Sequence, residues 1–387
     1  MNISLRILSN TKQQWQNFGR IKKTLFVTTF IAFLTSTFLY MTPPGQSIMK
    51  FLAKTVITTQ HREWAWILVG AEKRDQMVQA IHDMNDRNAK EKQDLNAVSF
   101  NKNKSIDQLV KVVDISGDYW VGKMMYVFDP RSIRVVVPGK KGEGERITSM
   151  VERTGAVAGV NGGGFIDPDG LGNGFAPIGA ILSGGKVLYN DQKEDIPQHI
   201  VGFTDKGTLV IGKYSIDQLR AMKVSEAVSF YPRVIANGKP LITKGDGGWG
   251  RAPRTALGQR ADGTVIFVVI DGRQAHSVGA TLREVQDLLL EQGCINAGFL
   301  DGGATLREVQ DLLLEQGCIN AGFLDGGASS EMVKDRKLLT QPSSRYGERR
   351  LPSGFLIFNR PKDVEVHNIW EGLKEIDPGG PMIIRTI

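Results

Sequence analysis

The chain has 387 residues, 41% hydrophobic and 23% charged, with 44 Gly and 15 Pro. That balance excludes a mostly disordered chain, a collagen-like one and a polytopic membrane protein, and the length allows one large domain or two average ones. The net charge of +7 is concentrated: residues 1–104 carry 15 Lys and Arg against 7 Asp and Glu, whereas 105–387 carry 33 against 34. A nucleic-acid enzyme keeps its positive excess on the folded domain, so no nucleic-acid partner is expected. Two Cys are too few for a disulfide scaffold and do not point to zinc.

Residues 1–23 form a basic cytoplasmic segment that includes Lys12, Arg20, Lys22 and Lys23. Thr24 to Met41 follows as 18 residues without a charge. As a helix this run is about 27 Å long, enough for a bilayer core. The positive flank predicts the N-terminus inside and the rest outside, so 24–41 is read as a single transmembrane anchor ended by Thr42-Pro43-Pro44. A cleaved signal peptide is the alternative; the missing A-x-A site and the long n-region stand against it. Residues 42–104 read as an extracytoplasmic spacer. In it Met77, Val78, Ile81 and Met84 recur at helical spacing, a stripe that packs on the main domain or on a partner helix. The polar stretch 83–104 reads as a solvated helix end and linker.

From 105 to 360 the pattern becomes short β runs with turn punctuation. Turns are expected at Gly184-Gly185, Asp205-Lys206-Gly207, Asn237-Gly238 and Asp262-Gly263. Val265–Ile270 (VIFVVI) is continuously apolar, which predicts a central strand buried on both faces. The expected architecture is α/β (α+β): a mixed β-sheet domain with covering helices. Residues 361–387 read as a polar C-terminal tail.

Residues 280–303 (ATLREVQDLLLEQGCINAGFLDGG) recur without a difference as 304–327. Each unit reads as a helix with a Thr/Glu capping box, a closing glycine and a strand. Solenoids need three or more diverging units, so this is a tandem duplication within a domain that has one slot for the unit. The second copy is expected in that slot, because only its Asp325-Gly326-Gly327 runs on into Ala328-Ser329-Ser330. Asp301, the copy of Asp325, would then be idle. The opposite assignment, with the first copy seated, stays open.

Three glycine-flanked polar loops follow apolar strands: NGGGF at 161–165, DGRQ at 271–274 and DGGASS at 325–330. Glycine lets backbone approach a ligand closely, and Asp, Asn or Ser beside it brings chemistry. Each such loop alone is commonly only a turn. There is no P-loop, GxSxG elbow or HExxH, and GDGGWG at 245–250 is followed by Arg-Ala-Pro-Arg rather than a helix, which rules out a dinucleotide loop. The five His are scattered; a zinc site or a Ser-His-Asp triad would have to draw on His199 or His276.

The order NGGGF, PIGAILSGGK, FYPRVIANGK, GGWGRAPRTALGQRADG, VVIDGRQAHSVGATL, LDGGASSEM and GERRLPSGF resembles the phosphodiester glycosidase family over about residues 110–360. The bacterial members are often labelled exopolysaccharide biosynthesis proteins. The resemblance implies cleavage of the anomeric C–O bond of a sugar-1-phosphodiester, the partner being a carbohydrate phosphodiester in envelope or extracellular glycopolymers. Such a site must grip a phosphate, stabilise an oxocarbenium-like centre and supply a carboxylate. Asp271 and Asp325 are the expected base or nucleophile. Arg254 and Arg273 are expected to bind phosphate bidentately. The N–H groups of Gly162–Gly164 and of Gly326 and Gly327 are expected to form an anion-binding concavity. Asn161, Thr255, Ser329 and Ser330 are expected on sugar hydroxyls or phosphate, unless the two serines cap a helix. Glu331 ranks below the aspartates as a solvent-facing helix residue. A divalent cation stays open: aspartates near phosphate can recruit Ca²⁺ or Mg²⁺, though no ligand spacing demands it. The rival reading is a non-catalytic glycopolymer-binding or assembly protein that uses the same cleft.

Overall fold

The computed structural model describes residues 19–57, 62–100, 108–168, 172–301, 328–345 and 347–379. The uncharged run lies in α1 (Arg20–Met41), which has no buried residue. Thr42 is extended and breaks the helix, and α2 (Pro43–Ile57) starts anew at Pro43, a residue whose fixed φ suits a first turn. Two further helices follow, α3 (Ala65–Val69) and α4 (Ala71–Lys90).

The stretch expected as a spacer is docked on the domain. Met49, Ala53 and Ile57 of α2 are buried, and Lys54 Nζ lies 3.1 Å from Asp246 Oδ1. Val78 and Ile81 of α4 are buried as the stripe predicts. So are Asn85 and Asn88, and Asp86 pairs with Lys213 at 3.2 Å and His199 at 3.5 Å. The segment read as a linker carries buried Gln93, which accepts from Ile211 N at 3.0 Å and donates to Leu209 O at 2.5 Å. Those two groups belong to an edge strand, so the polar side chain does work that sequence alone assigns to water.

Three sheets build the domain. The largest has seven strands in the order β1 (Val110–Gly117), β2 (Trp120–Val127), β13 (Val265–Ile270), β12 (Arg254–Arg260), β14 (Cys294–Asp301), β10 (Arg233–Ala236) and β11 (Lys239–Pro240). A second runs β16 (Lys337–Leu338), β15 (Met332–Lys334), β4 (Ala158–Asn161), β17 (Gly354–Ile357) and β3 (Ile133–Val136). The third runs β6 (Lys186–Asn190), β5 (Ala180–Ser183), β9 (Val224–Ser229), β7 (Gln198–Thr204) and β8 (Leu209–Tyr214). Helices α5 (Ile147–Thr154), α6 (Ile216–Ala221) and α7 (Leu282–Glu291) cover them. The class is α+β, and each described ladder is antiparallel, so the expected mixed sheet is three antiparallel ones. VIFVVI is the fully buried β13 between β2 and β12. Asn237 and Gly238 both take positive φ at the tight turn from β10 to β11, as their pairing in sequence predicts.

The repeat corrects one expectation. The first copy is the seated one: α7 starts at a Thr281/Glu284 capping box, and β14 lies between β12 and β10. The second copy lies outside the described residues. Over 24 identical positions local preference cannot choose between copies. Either seating leaves one 24-residue copy outside the slot, so loop-closure entropy does not favour one copy over the other. The tail is also corrected through residue 379. Trp370 is buried and donates from Nε1 to Phe175 O at 2.9 Å, and Asn173 N donates to Pro378 O at 2.8 Å.

Candidate active site

Antiparallel pairing brings several strand ends to one place. β4 ends in Asn161, and β12 begins with Arg254 and Thr255. The backbone of Asp301, the last residue of β14, is paired with Thr255. Ser329, Ser330 and Glu331 lead into β15, which pairs with β4. The Asn161 amide ties these ends together. Its Oδ1 accepts from Thr255 Oγ1 at 2.7 Å and from Glu331 N at 2.9 Å, and Asn161 N donates to Glu331 O at 3.4 Å. Asn161, Thr255, Ser329, Ser330 and Glu331 are all buried.

Two expectations change here. Ser329 and Ser330 cap no helix, since the chain continues as a strand. Glu331 is not a solvent-facing helix residue; it is 0% exposed and its backbone pairs with Asn161. The sequence ranked it below the aspartates because nothing local marks the start of so short a strand.

Asp271 stands one residue beyond β13, whose Ile270 is paired with Arg254. Its N–H donates to Val121 O at 3.0 Å, and its Oδ1 accepts from Gln341 N at 2.8 Å. His276 Nε2 is 4.0 Å from Oδ2. Asp271 opens on a cavity of about 530 Å³ lined also by Asp114, Ser116, Lys123, Thr340 and Gln341. Burial pushes its carboxyl above the ordinary range, against the Gln341 N–H, His276 and Lys123. The cavity is joined to the Asn161 cluster by the chain itself. Gln341 follows Thr340, whose Oγ1 accepts from Met332 N at 2.9 Å, and Met332 follows Glu331.

The two arginines differ. Arg254 is fully buried and donates from Nε to Ala280 O at 3.2 Å and from Nη2 to Trp249 O and Gly250 O at 3.1 and 3.0 Å. Either bidentate edge of a guanidinium includes Nη2, so the expected phosphate fork is instead a brace that holds the 245–250 loop to the start of the first copy. Arg273 is exposed, in the 271–278 loop, in a left-handed conformation with φ +56°. Strain of that kind gathers at ligand-contacting loops.

The expected glycine concavity is not formed as drawn. Gly162 N donates to Ser353 O at 3.4 Å and Gly164 N to Ser229 O at 3.2 Å, so both N–H groups face protein carbonyls. Gly163 has φ +87°, and a Cβ there would lie 2.9 Å from Ser353 Oγ, so glycine is required for packing. Asp325, Gly326 and Gly327 lie outside the described residues.

Sequence reasoning missed a buried ion pair. Asp167, two residues beyond NGGGF, pairs with Arg349 of the GERRLPSGF stretch, whose guanidinium stands 5.2 Å over the Phe165 ring. The signal was present: an acid beside one motif and an arginine inside another. It also missed Asp191, whose Oδ2 accepts from Gly179 N at 2.6 Å and whose carboxyl burial pushes up to about 6. Among the described residues no three His, Cys, Asp or Glu side chains gather as a metal site.

Residues 154–304 and 303–358 match the phosphodiester glycosidase family model, and the two stretches meet at the junction of the two copies. The SPbeta prophage-derived uncharacterized protein YomE of Bacillus subtilis (strain 168) is 32% identical over 167 residues, which are 41% of this chain and 25% of that protein. The chain therefore matches only a quarter of this relative's length. The catalytic domain of zebrafish N-acetylglucosamine-1-phosphodiester alpha-N-acetylglucosaminidase, auto-inhibited by its pro-peptide, is 23% identical with a TM-score of 0.49, over 68% of this chain and 87% of that one. A putative exported protein from Burkholderia pseudomallei is 17% identical with a TM-score of 0.44, over 62% and 74%.

Proposed function

Because the chain belongs to the phosphodiester glycosidase family, we propose that it hydrolyses the anomeric C–O bond of a sugar-1-phosphodiester in envelope or extracellular glycopolymers, held outside the cell by its N-terminal helix. The observation that carries this reading is the Asn161–Thr255–Glu331 cluster, made of residues far apart in sequence, at the strand ends beside Asp271 and its cavity.

The chemistry asks little of a general acid, because the leaving group is a phosphate monoester and already a weak base. It asks for a carboxylate at the anomeric carbon and a cation at the phosphate. Asp271 supplies the first, with Oδ1 fixed by Gln341 N and Oδ2 toward His276. The second carboxylate belongs to the Asp-Gly-Gly loop, and Asp301 takes the part expected of Asp325 because its backbone stands opposite Thr255. Arg273 and Lys123 are the cations that flank Asp271, one on its loop and one across its cavity. Ser329 and Ser330 meet sugar hydroxyls.

The test is incubation of the purified full chain in detergent with a hexosamine-1-phosphodiester, following phosphate monoester by ³¹P NMR and free reducing sugar by colorimetry. Release of both in equal amounts is expected. Saturable binding without release would replace this reading with the glycopolymer-binding one.

A further inference from the structure

The segment between the membrane helix and the domain carries an apolar surface that the fold does not use. On α2, Met49, Ala53 and Ile57 face the domain, while Ile48, Phe51 and Leu52, at helical spacing on another face, are exposed. Trp64, Trp66 and Ile67 are exposed beside them in sequence, with 64%, 55% and 50% of their surface open. A globular domain seldom leaves two tryptophans and four large aliphatic or aromatic groups in water within twenty residues of chain.

We propose that this collar is a bilayer-interface surface, which seats the domain on the lipid headgroups instead of letting it swing on a tether. The occupant is the outer leaflet itself, for three reasons. The collar is continuous with α1: Tyr40, near the end of that helix, donates to Ile67 O at 2.6 Å, and Gln46 Nε2 donates to Tyr40 O at 3.0 Å. Its composition is that of an interfacial belt, where Trp and Tyr keep an apolar ring in the acyl boundary and a polar edge in water. Its other side is locked to the domain by the buried face of α2 and the Lys54–Asp246 pair, so lipid contact at the collar fixes the whole domain. The proposal rests on the membrane-anchored reading of α1 and deepens it: the substrate of a domain seated this way lies close to the membrane surface.

The experiment reconstitutes the full chain, carrying Trp15→Phe, into phosphatidylcholine vesicles with and without bromine-labelled acyl chains, and reads tryptophan fluorescence. Trp120, Trp249 and Trp370 are buried and give an unquenched background. Quenching is expected, and adding Trp64→Phe and Trp66→Phe should remove most of it, since these are the exposed indoles. Both substitutions are at the surface, so circular dichroism and melting should be unchanged. Equal quenching with and without Trp64 and Trp66, in chain that stays with the vesicles after carbonate washing, overturns the collar. A cross-linked dimer that shields the two indoles from bromolipid overturns it as well and assigns the surface to a second copy. Carbonate release with quenching retained overturns the spanning helix but supports the collar.

Discussion

Thr255 Oγ1 and Asn161 Oδ1 are joined by a 2.7 Å hydrogen bond across 94 positions of chain, and the bond links the seven-stranded sheet to the five-stranded sheet that contains β4. The same Oδ1 accepts the Glu331 N–H. The two substitutions therefore differ. Thr255→Val removes one donor while Oδ1 keeps another, at a cost of about 1 kcal/mol. Asn161→Ala strands two buried donors, at a cost on the order of 2–4 kcal/mol. Urea melts of both variants and of the double variant should give a non-additive cycle, with catalytic turnover falling in each. Additive costs would mean that the bond does not couple the sheets.

Asp271 should show its role in pH dependence. Its carboxyl is raised by burial, and the base or nucleophile is the ionised form. The acid limb of kcat/KM is therefore expected above the ordinary aspartate value of about 3.9, with activity rising as pH increases through it. The stability sign is opposite. A raised folded-state pKa contributes stability that is full below the unfolded value and is lost as pH rises through the folded one. At neutral pH the ionised group is a net cost. Asp271→Asn keeps an oxygen for Gln341 N, so its Tm at pH 7 should equal or exceed that of the native chain while kcat drops about 10²- to 10⁴-fold. Unchanged kcat would remove Asp271 from the chemistry.

What was legible in the sequence had a local cause. The Asn237-Gly238 turn, the doubly buried VIFVVI strand and the Thr281/Glu284 box each follow from residues within a few positions of one another. Asn161 and Asp271 were legible as loop-motif residues, but the fold supplied the register that sets Asn161 against Thr255. What escaped was polar burial. Gln93, Asn88 and the Asp167–Arg349 pair look solvated in sequence, because the partner that satisfies each lies in a distant element. Arg254 escaped for the same reason: an arginine beside a strand looks the same whether it holds phosphate or carbonyls.

The contrast between the two arginines is measurable as a split between stability and KM. Arg254→Ala unties three buried carbonyls and should lower Tm together with kcat. Arg273 is exposed and strained at φ +56°, so Arg273→Gly should raise Tm slightly by relieving the left-handed residue. It should also raise KM about tenfold if the guanidinium meets the phosphate, since one charge-assisted contact is worth about that factor. An unchanged KM would give the phosphate to Lys123.

The duplicated unit sets a limit on which experiment can identify the working copy. Deleting 280–303 and deleting 304–327 yield the same polypeptide, so truncation cannot tell the copies apart. Point substitutions can. Leu289 is fully buried on α7 beneath the large sheet, and Leu289→Ala should cost about 2–5 kcal/mol in cavity and transfer terms. The counterpart Leu313→Ala should cost less, because the sheet has one slot and β14 fills it. The same logic extends to chemistry: Asp301→Asn should abolish turnover and Asp325→Asn should be tolerated. Equal intermediate losses in both pairs would mean that the copies exchange in the slot, and larger losses at Leu313 and Asp325 would seat the second copy. Exchange would show as two species in slow proteolysis, since the copies have identical intrinsic stability and differ only in the loops that closing each arrangement requires.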